Sequence, residues 1–144
     1  MFNPSRDEVR TFFFEMWAKY RRGEPLSGLE QTALSIVLLH PEYQSLLENR
    51  ERNLDRDFSP ESAQVNPFLH LSLHLAIEEQ LAIDQPRGIR ARYDALLSKS
   101  GSEHDAKHVV LECLGQTIWE AQRMRSPPDE AAYLRCLDLK GGAV

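Results

Sequence analysis

The chain has 144 residues, with 22 acidic against 17 basic side chains and a formal net charge of −5. That length suits one domain, able to bury a core without cross-links. The acidic balance argues against a general nucleic-acid binder, which needs a basic surface to neutralise phosphates, and no apolar run approaches the roughly 18 residues of a membrane span.

The two cysteines, Cys113 and Cys136, are too few for a disulfide framework. The start of the chain, with Asn3, Pro4 and charged residues, does not read as a signal peptide. A reducing, cytoplasmic setting is the expectation. Basic clusters at Lys19, Arg21, Arg22 and at Arg87, Arg90, Arg92 read as solvated helix ends.

A first helix is expected from near Asn3 or Ser5, where Ser5 and Glu8 make a capping box and Pro4 suits a first turn. Val9, Phe12, Phe13, Met16 and Tyr20 recur at helical spacing as a core stripe, and Gly23 ends the helix. Ser27 and Glu30 form a second capping box ahead of Leu29, Ala33, Ile36, Val37 and Leu39. His40-Pro41 breaks that helix, because the residue before proline disfavours the α region. Pro41 opens a short helix through Tyr43, Leu46 and Leu47.

Residues 49–66 read as a long surface loop of alternating charge. Asn66 caps and Pro67 opens a central helix that runs to about Asp84, ahead of Pro86. A short helix with Ile89, Tyr93, Leu96 and Leu97 follows. Ser102 caps a long helix to about Arg125, and a last helix spans Pro128 to Leu139. No strand pattern or fixed-period repeat interrupts this order. The expected fold is all-α: a compact bundle of four main helices plus short extra ones, in one domain.

The central segment NPFLHLSLHLAIEEQLAI is apolar nearly all round, as in helices from the middle of a domain. His70 and His74 lie about 40° apart on it and share a face with Leu73, Ile77 and Leu81. On the later helix, His104, His108 and Glu112 repeat the spacing, with Gly115 on the same face allowing close approach. Two facing helices that each offer donors at i and i+4 can hold one ion. Imidazoles with carboxylates suit Zn, Fe, Mn or Ni. The expected ligands are His70, His74, His108 and Glu112, with His104 and Glu78 as weaker candidates. The alternative is that the histidines are core hydrogen-bonders satisfied by carboxylates, carbonyls or water.

His40, before Pro41, reads as a helix-end residue bonding a carbonyl rather than as a ligand. Glu30 is explained by its capping box. Cys113 lies about 140° from His108 around the helix axis. Both cysteines read as small core residues with no histidine placed to activate them. No phosphate loop or dinucleotide fingerprint is present, so no nucleotide cofactor is expected.

The segments NPSRDEVRTFF, LEQTALSIVLLHPEY, NPFLHLSLHLAIEEQLAIDQP, ECLGQTIWEAQR and PPDEAAYLRCL resemble the bacterial family named domain of unknown function 1841. The resemblance covers nearly the whole chain. It implies a small bacterial cytoplasmic protein and brings no activity with it. Histidine-bearing bundles include ferritin-like proteins and metal-dependent hydrolases and thiol transferases. This chain has His-x-x-x-His and His-x-x-x-Glu in place of paired Glu-x-x-His, which departs from the di-iron pattern.

The functional expectation is one divalent transition metal between the central helix and the Ser102–Arg125 helix, with Glu78, Glu112 or Glu120 near it as a base. Such a centre would serve a metal-dependent hydrolase or transferase acting on a small molecule. The alternative is a non-catalytic protein-interaction or homodimeric module, favoured if Trp17 or Tyr133 proves exposed. The residues leave open whether the chain is an enzyme.

Overall fold

The computed structural model describes residues 6–54 and 66–142. It is all-helical, with no strand among the described residues. The order is α1 (Arg6–Arg21), α2 (Gly28–Leu38), a 3-10 turn (Pro41–Tyr43), α3 (Gln44–Glu48), α4 (Arg50–Asn53), α5 (Pro67–Ile83), α6 (Ile89–Ser100), α7 (Glu103–Met124) and α8 (Glu130–Lys140). The chain divides into two compact units, Met1–Ala76 and Ile77–Val144, with the boundary inside α5.

In the first unit, the expected start of α1 at Asn3 to Ser5 lies outside the described residues. Asp7 and Glu8 near its beginning and Lys19 and Arg21 near its end suit the helix dipole. The buried face is Phe13, Phe14, Met16 and Trp17, a register that leaves Tyr20 part-exposed instead of Trp17. Two contacts explain this choice. Phe14 meets Phe68 of α5 at 5.5 Å between ring centroids, and the Trp17 indole N–H donates to Glu48 at 3.1 Å. Ala33, Ile36 and Val37 of α2, Leu46 and Leu47 of α3, and Phe68, Leu71 and Leu75 of α5 complete this core.

The α2 capping box is present: the Ser27 hydroxyl accepts from the Glu30 N–H at 3.3 Å, and the Ser27 N–H donates to the Glu30 carboxylate at 3.0 Å. These bonds, Ser27 first and Lys19 next, hold the Glu30 carboxyl below the ordinary glutamate range. Part of the stretch expected as irregular is ordered. Arg50–Asn53 closes one helical turn, because the buried Asn53 amide donates to the Leu46 and Asn49 carbonyls at 3.0 Å each. Residues 55–65 of that stretch lie outside the description.

In the second unit, α6, α7 and α8 contact one another in every pairing. Gly88 and Gly101 bound α6 with positive φ of 95° and 73°, a conformation glycine adopts without steric penalty. Asp84 accepts from the N–H groups of Arg90 and Gly88 and thereby secures the start of α6. Ser102 caps α7 and Asp129 caps α8.

The cysteines require a correction. Cys113 and Cys136 are joined as a disulfide, with Cα atoms 5.8 Å apart. Cys113 lies on the α7 face that meets α8, at a separation typical of bridged pairs. Sequence spacing could not distinguish this from two buried thiols, since the pair is 23 residues apart on different helices. No helix among the described residues is long and apolar enough to cross a membrane.

Candidate metal centre

The site grows from the start of α5. The Asn66 side-chain oxygen accepts from the N–H groups of Phe68 at 3.0 Å and Leu69 at 3.3 Å, and Pro67 sits at the first helical position, where no N–H is needed. One turn on, His70 and His74 project together, with ring centroids 4.7 Å apart. Leu71, Leu73 and Leu75 between and beside them are buried. The helix therefore carries both imidazoles into an apolar setting.

His40 supplies a third ring. Helix α2 stops at Leu38 because Pro41 forces His40 out of the α region, to φ −127°. The His40 Nδ1–H donates to the Ile36 carbonyl at 2.8 Å. A carbonyl can only accept, so Nδ1 carries a proton, and in the neutral ring Nε2 is the nitrogen that could coordinate. His40 Nε2 lies 3.3 Å from His70 Nε2, and His74 Nε2 lies 3.2 Å from His70 Nε2. His40 and His74 are each only 5 % exposed.

Proton accounting constrains what these nitrogens do. His70 Nε2 meets two ring nitrogens, but a neutral imidazole nitrogen carries either one proton or one lone pair. One His70 proton serves one of its two close neighbours well at a time. A cation at the centre would instead accept three lone pairs together. Zinc–nitrogen bonds of about 2.0–2.1 Å in a tetrahedron place ligand nitrogens about 3.3 Å apart. The two observed separations match that spacing. Three neutral imidazole ligands would leave a bound divalent ion its full charge.

Tyr43 borders the same rings. Its ring is parallel to that of His40, at 5.6 Å and 7°, and edge-on to that of His70 at 5.8 Å. Burial, with Glu42 as a smaller cause, raises the Tyr43 phenol above its ordinary value.

The other expected site residues fall in the second unit. His104 is exposed and His108 half-buried; their rings are 4.2 Å apart, and the His108 Nδ1–H donates to the His104 carbonyl at 2.7 Å. Glu112 is exposed and lies 4.0 Å from Lys140. Glu78 pairs with Lys107 at 2.6 Å. Burial works against the Lys107 ammonium, but the Glu78 carboxylate outweighs it and holds the lysine above its ordinary value. Glu120 accepts from Gln116 at 2.9 Å.

Helical spacing pairs His70 with His74, and the structure adds His40 beside them. His40 is expected to bond a carbonyl, and it does. That same bond directs the opposite ring nitrogen toward His70. The usable signal is the His-Pro step, which takes a helix-end histidine out of the α region while one ring nitrogen stays bonded to its own helix.

The family described as Domain of unknown function (DUF1841) matches residues 5–139. The chain belongs to this family. The match covers nearly the whole sequence, as the resemblance of its segments implied. No curated protein and no solved structure matches the chain.

Proposed function

We propose that this protein binds one divalent transition metal through His40, His70 and His74. The observation that carries the reading is the convergence of three imidazole Nε2 atoms, with separations of 3.3 and 3.2 Å about His70. Neutral imidazole donors favour Zn, Fe, Mn or Ni over the hard cations Mg and Ca, which take oxygen ligands. His108 and Glu112 are proposed as further ligands on the spacing of the sequence alone, with His104 and Glu78 behind them. With a coordination position left to water, a thiol or a small anion, such a centre supplies Lewis-acid chemistry of the hydrolase or transferase kind.

Elemental analysis of protein purified without an affinity tag tests the reading, beside His40→Ala, His70→Ala and His108→Ala. About one metal per chain in the unsubstituted protein, lost in His40→Ala and His70→Ala, is the expected result. Sub-stoichiometric metal in every sample, also after reconstitution with Zn²⁺, sinks it. Retention of metal in His108→Ala removes His108 alone from the ligand set.

A second reading, a partner-binding or homodimeric module with core hydrogen-bonding histidines, draws on Trp119, which is 53 % exposed beneath the Arg123 guanidinium, and on the exposed Met124. The residues first expected to mark such a surface, Trp17 and Tyr133, are buried. Analytical ultracentrifugation of the protein against Trp119→Ser separates a dimer from a monomer.

A further inference from the structure

From the geometry around His40 we infer that Tyr43 is a positioning residue of the metal centre, holding the His40 and His70 rings in their ligating orientations; the inference rests on the metal reading above.

Backbone geometry makes the Tyr43 contact systematic. The Tyr43 N–H donates to the His40 carbonyl at 2.9 Å, the i to i+3 bond of a 3-10 turn. In that geometry side chains three apart eclipse one another. His40 and Tyr43 are three apart, with Pro41 fixing the turn's first position. Their rings accordingly stack within 7° of parallel.

The His40 ring is thereby restrained in two independent ways. The Ile36 carbonyl fixes its Nδ1 edge, and the Tyr43 face fixes its plane. The edge-on contact of Tyr43 with His70 extends the restraint to a second ligand on another helix. One side chain thus braces donors that are 30 residues apart in the chain. Hydrogen-bonded groups that orient ligating histidines typically change metal affinity by about 10–100-fold when removed, and the Tyr43 ring is inferred to act in the lower part of that range. The relevant property of Tyr43 is its flat ring, because the contacts are with ring faces and edges.

The competing account is that Tyr43 merely fills space beside the core, against which it is partly buried. Two substitutions separate these accounts. Tyr43→Leu keeps apolar volume but removes the plane. Tyr43→Phe keeps the plane and removes the hydroxyl. The probe is Co²⁺, titrated into the untagged full chain while visible absorption is recorded, with thermal unfolding of each metal-free protein alongside.

Tyr43→Leu is expected to weaken Co²⁺ binding at least tenfold and to shift the visible bands, whereas Tyr43→Phe binds like the unsubstituted protein with the same spectrum. Should Tyr43→Leu fail to fold, Tyr43→Met takes its place. A Leu or Met variant with unchanged affinity and spectrum overturns the inference, as does a Phe variant as weak as Leu. Absence of Co²⁺ binding by the unsubstituted protein overturns the metal reading itself and this inference with it, so the two failures are distinct.

Discussion

At the scale of single residues, the strongest local signals are side chains whose bonding is dictated by immediate neighbours. Ser27 and Glu30 are the clearest case, because a capping box needs only four consecutive residues to be recognised. Ser27→Ala should lower stability by about 1 kcal/mol, read from the urea midpoint at neutral pH. Glu30 adds a pH dependence. Its folded carboxyl is held below the ordinary glutamate value, so its contribution is full above that value and is lost as pH falls through the folded one. The stability difference between the protein and Glu30→Gln should therefore shrink on acidification, followed by urea unfolding across acidic pH. Tyr133 is an equally local prediction. Its buried hydroxyl donates to Gln80 at 2.7 Å, and Tyr133→Phe removes that donor at a cost of about 1 kcal/mol, measurable as a lowered unfolding midpoint. His40 shows where residue-scale reading stops. Its carbonyl bond follows from its place at a helix end, but the neighbour of its second nitrogen lies 30 residues away.

At the scale of elements, helix starts and stops followed from local chemistry: Ser102 and Asn66 as caps, Pro41 as a break. The buried face of α1 did not. Phe12 and Tyr20 compete with Phe14 and Trp17 for one apolar stripe, and Phe68 and Glu48, distant in sequence, decide between them. The α7–α8 disulfide is a second element-scale outcome hidden from spacing. It closes a loop with a sequence separation of 23, which in the chain-entropy account restricts the unfolded state by about 3 kcal/mol. The double variant Cys113→Ala with Cys136→Ala should unfold at a correspondingly lower denaturant concentration, and a reducing agent should reproduce the effect in the unsubstituted protein. An unchanged midpoint in both would count against the bond. The bond also removes cysteine usage as an argument for a reducing compartment.

At the scale of the molecule, the acidic balance and all-helical pattern followed from composition and periodicity, and the family match extends over nearly the whole chain. The candidate site was only half legible. Helical periodicity pairs donors within one helix, as with His70 and His74, but has no means of finding a donor brought in by a break elsewhere. A metal bound to the native histidines and not to the unfolded chain stabilises by mass action, by about 2.7 kcal/mol at a free concentration one hundred times its dissociation constant. Zn²⁺ should therefore raise the thermal midpoint of the protein and leave that of His70→Ala unchanged. Since the ligands must be unprotonated imidazoles, the increment should disappear on acidification. Scanning calorimetry with and without Zn²⁺ checks both expectations.

The separation of His40 from His70 has a topological consequence. An ion shared by their rings is a reversible cross-link that ties off the intervening chain into a closed ring. A protease cut at any one bond between the two histidines would then leave the fragments fastened through the metal. The packed core of α1, α2, α3 and α5 would hold them as well, so chelation would loosen the pair rather than part it. The nicked, metal-loaded protein would come apart at a higher denaturant concentration than the nicked, chelated protein, so the cut chain itself would report whether the clasp is shut.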